Sequence, residues 1–255
     1  MDEKSLENAL SNLSKKILFL QSAVSFLESE LSRPLIVPDG DQAIAFRFSN
    51  PSIVHFCVLH LIRVVSCLNA LIVLARYGYV QEICVLIRTG YEFLSKVDYV
   101  STGYYDPEQR EKVKLYVERY FSDNTRKPKR LDKDVSLRQK EINEGLQKNY
   151  ENTTRSPKAP DDERGVAEMH RYVLSVFSNY VHARYPEVMD MFGGTPVQPH
   201  MVGMKGTPKD AENIVQIYTF FDSTNLSLKN VYLRLGYANS DVTPPSLREW
   251  AKSFD

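Results

Sequence analysis

Residues 51–100, PSIVHFCVLHLIRVVSCLNALIVLARYGYVQEICVLIRTGYEFLSKVDYV, decide the fold class of this chain. They contain its most apolar stretch, and Gly78 divides that stretch in two. The pattern predicts one helix that opens at Asn50-Pro51-Ser52 and runs to about Tyr77, and another from about Val80 to Val100. A turn this short makes the two helices antiparallel neighbours. We therefore expect them to be the central pair of an all-α protein.

The same stretch has to be distinguished from a membrane hairpin. Arg63, Arg76 and Glu82 interrupt it, and no run reaches 18 residues without a charge or a histidine. A membrane-spanning helix needs about 20 predominantly apolar residues. We interpret the region as two buried core helices and expect no contact with a membrane.

The cysteines and the first residues indicate a cytoplasmic location. The chain has three cysteines, all in apolar segments: Cys57, Cys67 and Cys84. Their number is odd and no CxxC pair occurs, which favours buried thiols in a reducing compartment. The start 1–4, Met-Asp-Glu-Lys, is acidic, whereas a secretory signal needs a basic start. We expect no metal site, because His55, Cys57 and His60 do not share one helix face. No cofactor-binding motif is present in the sequence, so we expect no cofactor.

The rest of the chain predicts further helices within a single domain, 1–255. The link 33–50 contains prolines and an Asp-Gly pair and is expected to be a loop, with a short extended piece at 43–48. A long loop is expected over 194–207. The predicted organisation is an amphipathic N-terminal helix at 1–33, a core at 50–103 and 161–236, and a charged helical insertion or outer layer at 104–160.

Composition excludes binding of nucleic acid through overall charge. The 255 residues include 32 basic and 32 acidic side chains, so the formal net charge is zero. A local basic patch is needed instead. The sequence offers one such cluster, for which a solvated loop is the alternative interpretation: Arg126, Lys127, Lys129 and Arg130.

His182 is the first candidate for chemistry. It ends the segment 171–182, RYVLSVFSNYVH, which has an apolar helical face and is expected to continue as a helix to about Arg184. Ser178 lies four residues before His182, so the two side chains share a helix face and can hydrogen-bond. Histidine can act as a general acid or base near neutral pH. The alternative is a half-buried histidine that bridges helices.

Arg88 and Glu92 form the second candidate. They are also four residues apart, on the otherwise apolar third helix. Charges in such a helix cost desolvation free energy unless they are paired. A structural ion pair is one interpretation. The other is that both side chains line a polar cavity that faces His182.

Together the two segments resemble a bacterial branch of the HEPN-like helical families, the higher-eukaryote and prokaryote nucleotide-binding domains. The resemblance covers roughly 50–235, with 104–160 as an insertion. The residues that carry it are Leu86, Arg88, Glu92, Tyr172, Leu174, Ser175, Ser178, Val181 and His182. It implies an antiparallel bundle of four or five helices that often forms a homodimer. Many relatives are metal-independent ribonucleases in toxin or phage-defence systems, so the resemblance implies RNA as a ligand and a partner protein from the same operon.

The resemblance also implies roles for individual residues. In the family, a histidine acts on the ribose 2′-hydroxyl and an arginine four to six residues before it stabilises the phosphate charge. Here the segment 177–179 just before His182 is Phe-Ser-Asn, with no arginine. A literal match to the spacing is found at Arg164 and His170, and Arg88 is another candidate for the cation.

Two functional hypotheses follow. In the first, the protein binds or cleaves RNA, with His182, Arg88, Glu92 and Ser178 as the catalytic set. In the second, it is a non-catalytic helical interaction module in which the arginine, glutamate and histidine form a structural polar cluster. The absence of arginine just before His182 motivates the second hypothesis.

Overall fold

The computed structural model describes residues 3–38, 44–122, 176–195 and 198–253. Within these ranges the protein is mostly helical, so the all-α class predicted from the sequence is confirmed. Short 3₁₀ helices lie at Asp190–Phe192 and Tyr237–Asn239. The helices and strands are α1 (Glu3–Ser29), β1 (Leu35–Pro38), β2 (Ile44–Arg47), α2 (Ile53–Tyr77), α3 (Val80–Tyr105), α4 (Arg110–Ser122), α5 (176–181), α6 (Tyr185–Met189), α7 (Pro208–Arg234) and α8 (Pro245–Lys252).

The central pair α2 and α3 begins and ends where local chemistry dictates. Ser52 caps α2, because its hydroxyl accepts from the backbone of His55 at 3.5 Å while its own N–H donates to His55 Nδ1 at 3.2 Å. Gly78 ends α2 with φ of +70°, a conformation that a side chain disfavours. The predicted break at this glycine is confirmed, and α3 continues past the expected end to Tyr105.

The N-terminal helix α1 belongs to the same core. Eight of its residues, spaced by one, three or four, are buried: Leu6, Leu10, Leu13, Ile17, Leu20, Ala23, Val24 and Leu27. Glu7 of α1 pairs with Arg76 near the end of α2 at 3.2 Å, so the two helices run antiparallel. The hydrophobic effect on this long apolar face therefore holds the N-terminal helix against the bundle.

The direction of α7 differs from the predicted antiparallel arrangement. Tyr218 donates to Ala9 O at 3.0 Å and Tyr232 donates to Ala23 O at 2.8 Å, so α7 runs parallel to α1. It also runs parallel to α3. The reason lies in the segment before α7, where Met204 N donates to Gly78 O at 2.7 Å. That contact returns the chain to the end of the bundle at which α3 begins.

A small hairpin interrupts the helical pattern between α1 and α2. Its two strands pair antiparallel, with Ile36 opposite Phe46. The second strand falls in the extended piece expected at 43–48, whereas a loop was expected for 35–38 and that expectation is wrong. Four apolar residues without polar alternation give too short a signal for a strand.

The segment 104–160, predicted to be a charged helical insertion or outer layer, is described only in part. Of the segment 104–160, α4 packs against the core through Val113 and Val117, and 123–160 lies outside the described residues.

In the described part of the chain, α2 is the one helix long and apolar enough to cross a membrane, with a window of mean hydropathy 2.2 that is 56% buried. A mostly buried core helix passes the same test, so this property is weak support for a membrane span.

Candidate functional site

A hydrogen-bonded group around Tyr180 attaches α5 to the bundle. The Tyr180 hydroxyl donates to Asp190 Oδ2 at 2.5 Å, and the buried Cys84 thiol of α3 lies close to both groups. Lys209 Nζ, in the first turn of α7, lies 3.2 Å from Asp190 Oδ1. These four residues, Cys84, Tyr180, Asp190 and Lys209, are called the Tyr180 anchor below. They join three helices that are distant in sequence.

The anchor is built from neutral groups around one ion pair. Burial raises the pKa of the Cys84 thiol to about 12. Burial, followed by hydrogen bonding to Asp190, also raises the pKa of Tyr180. Both groups are therefore protonated at neutral pH, and Cys84 Sγ can donate to Gln216 Oε1 at 3.8 Å. A thiol held in this form is a structural group and not a nucleophile.

Amide side chains hold the following segment in place. Gln81 Nε2, at the start of α3, donates to the carbonyls of Glu187 at 3.0 Å and Val188 at 3.3 Å. Asn179 Nδ2 donates to Glu187 Oε1 at 3.0 Å. As a result α5 and α6 form one unit fixed to the N-terminal half of α3.

His182 lies in the exposed turn between α5 and α6. The helix was expected to run to about Arg184 but ends at 181, because Ala183 adopts a φ of +48° and the chain restarts at α6, whose second residue is Pro186. His182 N donates to Ser178 O at 3.0 Å, so the two residues meet through their backbones. The imidazole is exposed and has no side-chain hydrogen bond or ion pair within the described ranges.

Arg88 and Glu92 form the expected ion pair, with Nη2 and Oε1 2.8 Å apart. The Arg88 side chain is 23% exposed and that of Glu92 is 43% exposed, so the pair lies at the edge of the core. Among the described residues neither side chain bonds to His182. Arg88 is nevertheless one helical turn from Cys84, which places it on the same face of α3 as the Tyr180 anchor.

Several predicted site residues lie outside the described residues. These are the alternative pair and the basic cluster: Arg164, His170, Arg126, Lys127, Lys129 and Arg130. In the described ranges, no three His, Cys, Asp or Glu side chains are grouped closely enough to hold a metal ion.

Sequence reasoning missed the partners of Tyr180. Tyr180 belongs to the predicted segment that ends in His182, and no role was predicted for it. Asp190 follows it by ten residues and lies in a different helical element. Lys209 comes from yet another helix. Helical spacing links residues three or four apart and gives no signal for such contacts.

Comparisons with models of protein families, with curated proteins and with solved structures find no match to this chain. The fold and the site together define a mostly helical bundle protein with an exposed histidine on an anchored surface segment. Any functional inference therefore has to come from its own residues.

Proposed function

We propose that the protein is a HEPN-like helical protein that binds RNA and cleaves it without a metal ion. The observation that carries the proposal is the attachment of the α5–α6 unit to α3 through Gln81, which donates to the carbonyls of Glu187 and Val188. These bonds hold residues 176–189, which include His182, beside the helix that carries Arg88 and Glu92. In this proposal the protein acts in a bacterial toxin or phage-defence system.

His182 is the proton-transfer group in this proposal. Its imidazole is exposed and has no competing side-chain partner in the described ranges, so an RNA strand can reach it. In the reaction, the ribose 2′-oxygen attacks the adjacent phosphorus and His182 accepts the 2′-proton. The bond from phosphorus to the 5′-oxygen breaks, and that oxygen takes a proton from water, after which the protonated His182 returns its proton to the solvent. The products are a 2′,3′-cyclic phosphate and a 5′-hydroxyl.

The developing phosphate charge needs a cation close to His182. Arg184 is exposed, and its backbone N–H donates to Asn179 O at 3.1 Å in the same turn that carries His182. It is therefore the nearest arginine along the chain, at two residues. Arg88, which Glu92 holds on α3, is the second candidate. A cation that pairs with the transition state contributes through preorganised electrostatics.

The experiment is a cleavage assay in EDTA. Purified protein is incubated with total RNA and with tRNA, in the wild-type form and as His182→Ala, Arg184→Ala and the control His200→Ala. His200 lies in the loop before α7, and its backbone N–H donates to Met191 O at 2.7 Å. We expect cleavage by the wild type and by His200→Ala, and a loss of about 10²- to 10⁴-fold in His182→Ala. Cleavage at the wild-type rate by His182→Ala would refute the assignment of this residue.

A second function is favoured by a different observation. The α5–α6 segment exposes three apolar side chains, Val181 (42%), Tyr185 (76%) and Met189 (40%). Exposed apolar patches mark interaction surfaces. In this alternative the protein is a non-catalytic interaction module. The exposed apolar surface, and not a polar Arg-Glu-His cluster, is then the feature that supports this function. A second copy of the chain and a protein from the same operon are the proposed partners.

Light scattering coupled to size exclusion tests the alternative. The interaction module is favoured if the wild type is a homodimer, Tyr185→Ser is a monomer, and neither of the two cleaves RNA. A monomer at every concentration contradicts the homodimer.

A further inference from the structure

A second surface, on α2, α3 and α4, combines two cations with aromatic rings. Arg63 Cζ of α2 lies 5.7 Å from the centroid of the Phe93 ring, and Lys96 Nζ lies 5.9 Å from the same centroid. Both cations are exposed. Cations at this distance from a ring are attracted by its quadrupole. Phe93 therefore holds two positive charges together at one point of the surface.

Tyr120 of α4 adds a partly exposed ring, with 46% of the residue accessible. The ring is fixed by aromatic contacts with Phe56 at 4.9 Å, Phe121 at 5.0 Å and His60 at 5.3 Å between centroids. Interactions of this kind stabilise a ring in one orientation. Tyr120 thus presents a rigid aromatic surface to solvent.

His60 connects the aromatic and the cationic parts. Its ring lies 5.9 Å from the Phe93 ring as well as against Tyr120. Burial lowers the pKa of His60 to about 4, and the charge of Lys96 acts in the same direction. The histidine is neutral at pH 7 and adds no charge of its own.

The charge of this surface comes from Arg63 and Lys96, which form no ion pair within the described ranges. Glu92 lies four residues before Lys96 on α3, but its carboxylate is paired with Arg88 at 2.8 Å. Two positive charges therefore remain available to an anion. The four residues Arg63, Phe93, Lys96 and Tyr120 are called the Phe93–Tyr120 face below.

We infer that the Phe93–Tyr120 face binds a single-stranded segment of RNA, with a base stacked on Tyr120 and backbone phosphates beside Arg63 and Lys96. Surfaces that bind single strands combine cations that follow the backbone with aromatic rings on which bases stack. A duplex hides the faces of its bases, so a stacking surface favours a single strand. This inference rests on the proposed function and names the site at which the substrate is held.

The test is fluorescence anisotropy with a labelled 12-nucleotide oligouridine. The variants are Tyr120→Ala, Tyr120→Phe and the double variant Arg63→Glu/Lys96→Glu. The control is Lys15→Glu/Lys252→Glu, which makes the same change in net charge at two exposed lysines of α1 and α8. Circular dichroism at 222 nm checks that each variant is folded.

We expect Tyr120→Ala to weaken binding roughly 5- to 100-fold, the range for loss of one stacked base, and Tyr120→Phe to retain it. In Arg63→Glu/Lys96→Glu, the slope of log K against log salt should fall by about 1.4, or about 0.7 for each lost phosphate contact. The lysine control should change binding much less.

The outcomes separate this inference from the proposed function. Binding that is equal in Arg63→Glu/Lys96→Glu and in the lysine control overturns the Phe93–Tyr120 face and leaves RNA cleavage at His182 standing. Binding that depends on the face, without cleavage by the wild type, supports the inference and overturns the catalytic proposal. Absence of binding by the wild type overturns the inference about the Phe93–Tyr120 face, and the cleavage assay with tRNA then decides the proposed function by itself.

Discussion

The Tyr180 hydroxyl donates to the Asp190 carboxylate at 2.5 Å, and Lys209 contacts the other carboxylate oxygen. The Asp190 carboxylate thus joins α5, through Tyr180, to the turn that follows α6, and it joins both to α7 through Lys209. Because His182 lies between the two bonded residues in sequence, its position depends on this contact. The geometry of the exposed histidine is therefore set by groups that do not touch it.

Replacing Asp190 tests this dependence. Asp190→Ala leaves the Tyr180 hydroxyl without its acceptor and leaves Lys209 with Glu212 as its remaining partner. We expect a loss of about 1–3 kcal/mol in the free energy of unfolding. Asp190→Asn keeps an acceptor oxygen and should lose less. Urea unfolding followed by circular dichroism measures both. Equal stability of Asp190→Ala and the wild type would show that the Tyr180 anchor does not hold the segment.

Stability should fall as pH is lowered from about 6.5 to about 4. The unfolded chain binds a proton at His60 near the ordinary pKa of 6.5, whereas burial lowers the folded pKa to about 4. The unfolded state therefore binds more protons in this window, and the free energy of unfolding should fall by about 1.4 kcal/mol for each pH unit. Burial also lowers the pKa of His55, which acts in the same direction.

The variant His60→Phe isolates this contribution. It keeps an aromatic ring against Phe56, whose ring centroid lies 4.0 Å from that of His60, and removes the titrating group. Denaturation curves at several pH values between 4 and 7 should show a shallower dependence than in the wild type. An unchanged slope would assign the effect to other groups.

Gly90 is required by the packing of α3 against α7. A Cβ at this position would lie 2.3 Å from Cζ of the buried Phe220 ring. We expect Gly90→Ala to destabilise the protein by about 1–3 kcal/mol, the usual cost of overpacking, although alanine favours helices. Thr89→Ala, a change at a half-buried position of the same helix, is the control and should be nearly neutral. A thermal shift assay that ranks Gly90→Ala at or above the wild type would contradict this packing.

The ion pair on α3 should matter more for activity than for stability. Arg88 and Glu92 are partly exposed, so Arg88→Met should cost only about 0.3–1 kcal/mol of the free energy of unfolding. Under the proposed function, cleavage should fall by more than this loss explains, because the variant removes a cation on the side that carries His182. Parallel unfolding and cleavage assays measure the two effects. A variant with full cleavage activity would confine the pair to a structural role.

Local sequence signals accounted for much of the fold. Apolar spacing predicted α1, α2, α3 and α7, and the residues Ser52 and Gly78 marked the ends of α2 as a cap and a left-handed turn require. Such features depend on neighbours within a few residues. They are therefore visible without knowledge of tertiary contacts.

Long-range contacts account for what the sequence did not predict. The parallel direction of α7 depends on the hydrogen bond between Met204 and Gly78, whose positions are 126 apart in the numbering. The groups around Tyr180 come from the Asp190–Phe192 turn, from α3 and from α7, and they share no helical spacing with it. The aromatic cluster around His60 likewise joins residues of three helices. Periodicity describes one helix face and does not identify the element that packs on it.

The most direct test of His182 as the proton-transfer group is a single-turnover rate measurement. A uniformly labelled tRNA is mixed with excess protein in EDTA, and the rate of product formation is compared between wild type and His182→Ala. We predict cleavage by the wild type, products that end in a 2′,3′-cyclic phosphate, and a rate at least about 10²-fold lower in His182→Ala. Equal rates in the two proteins, or no cleavage by the wild type, would contradict it.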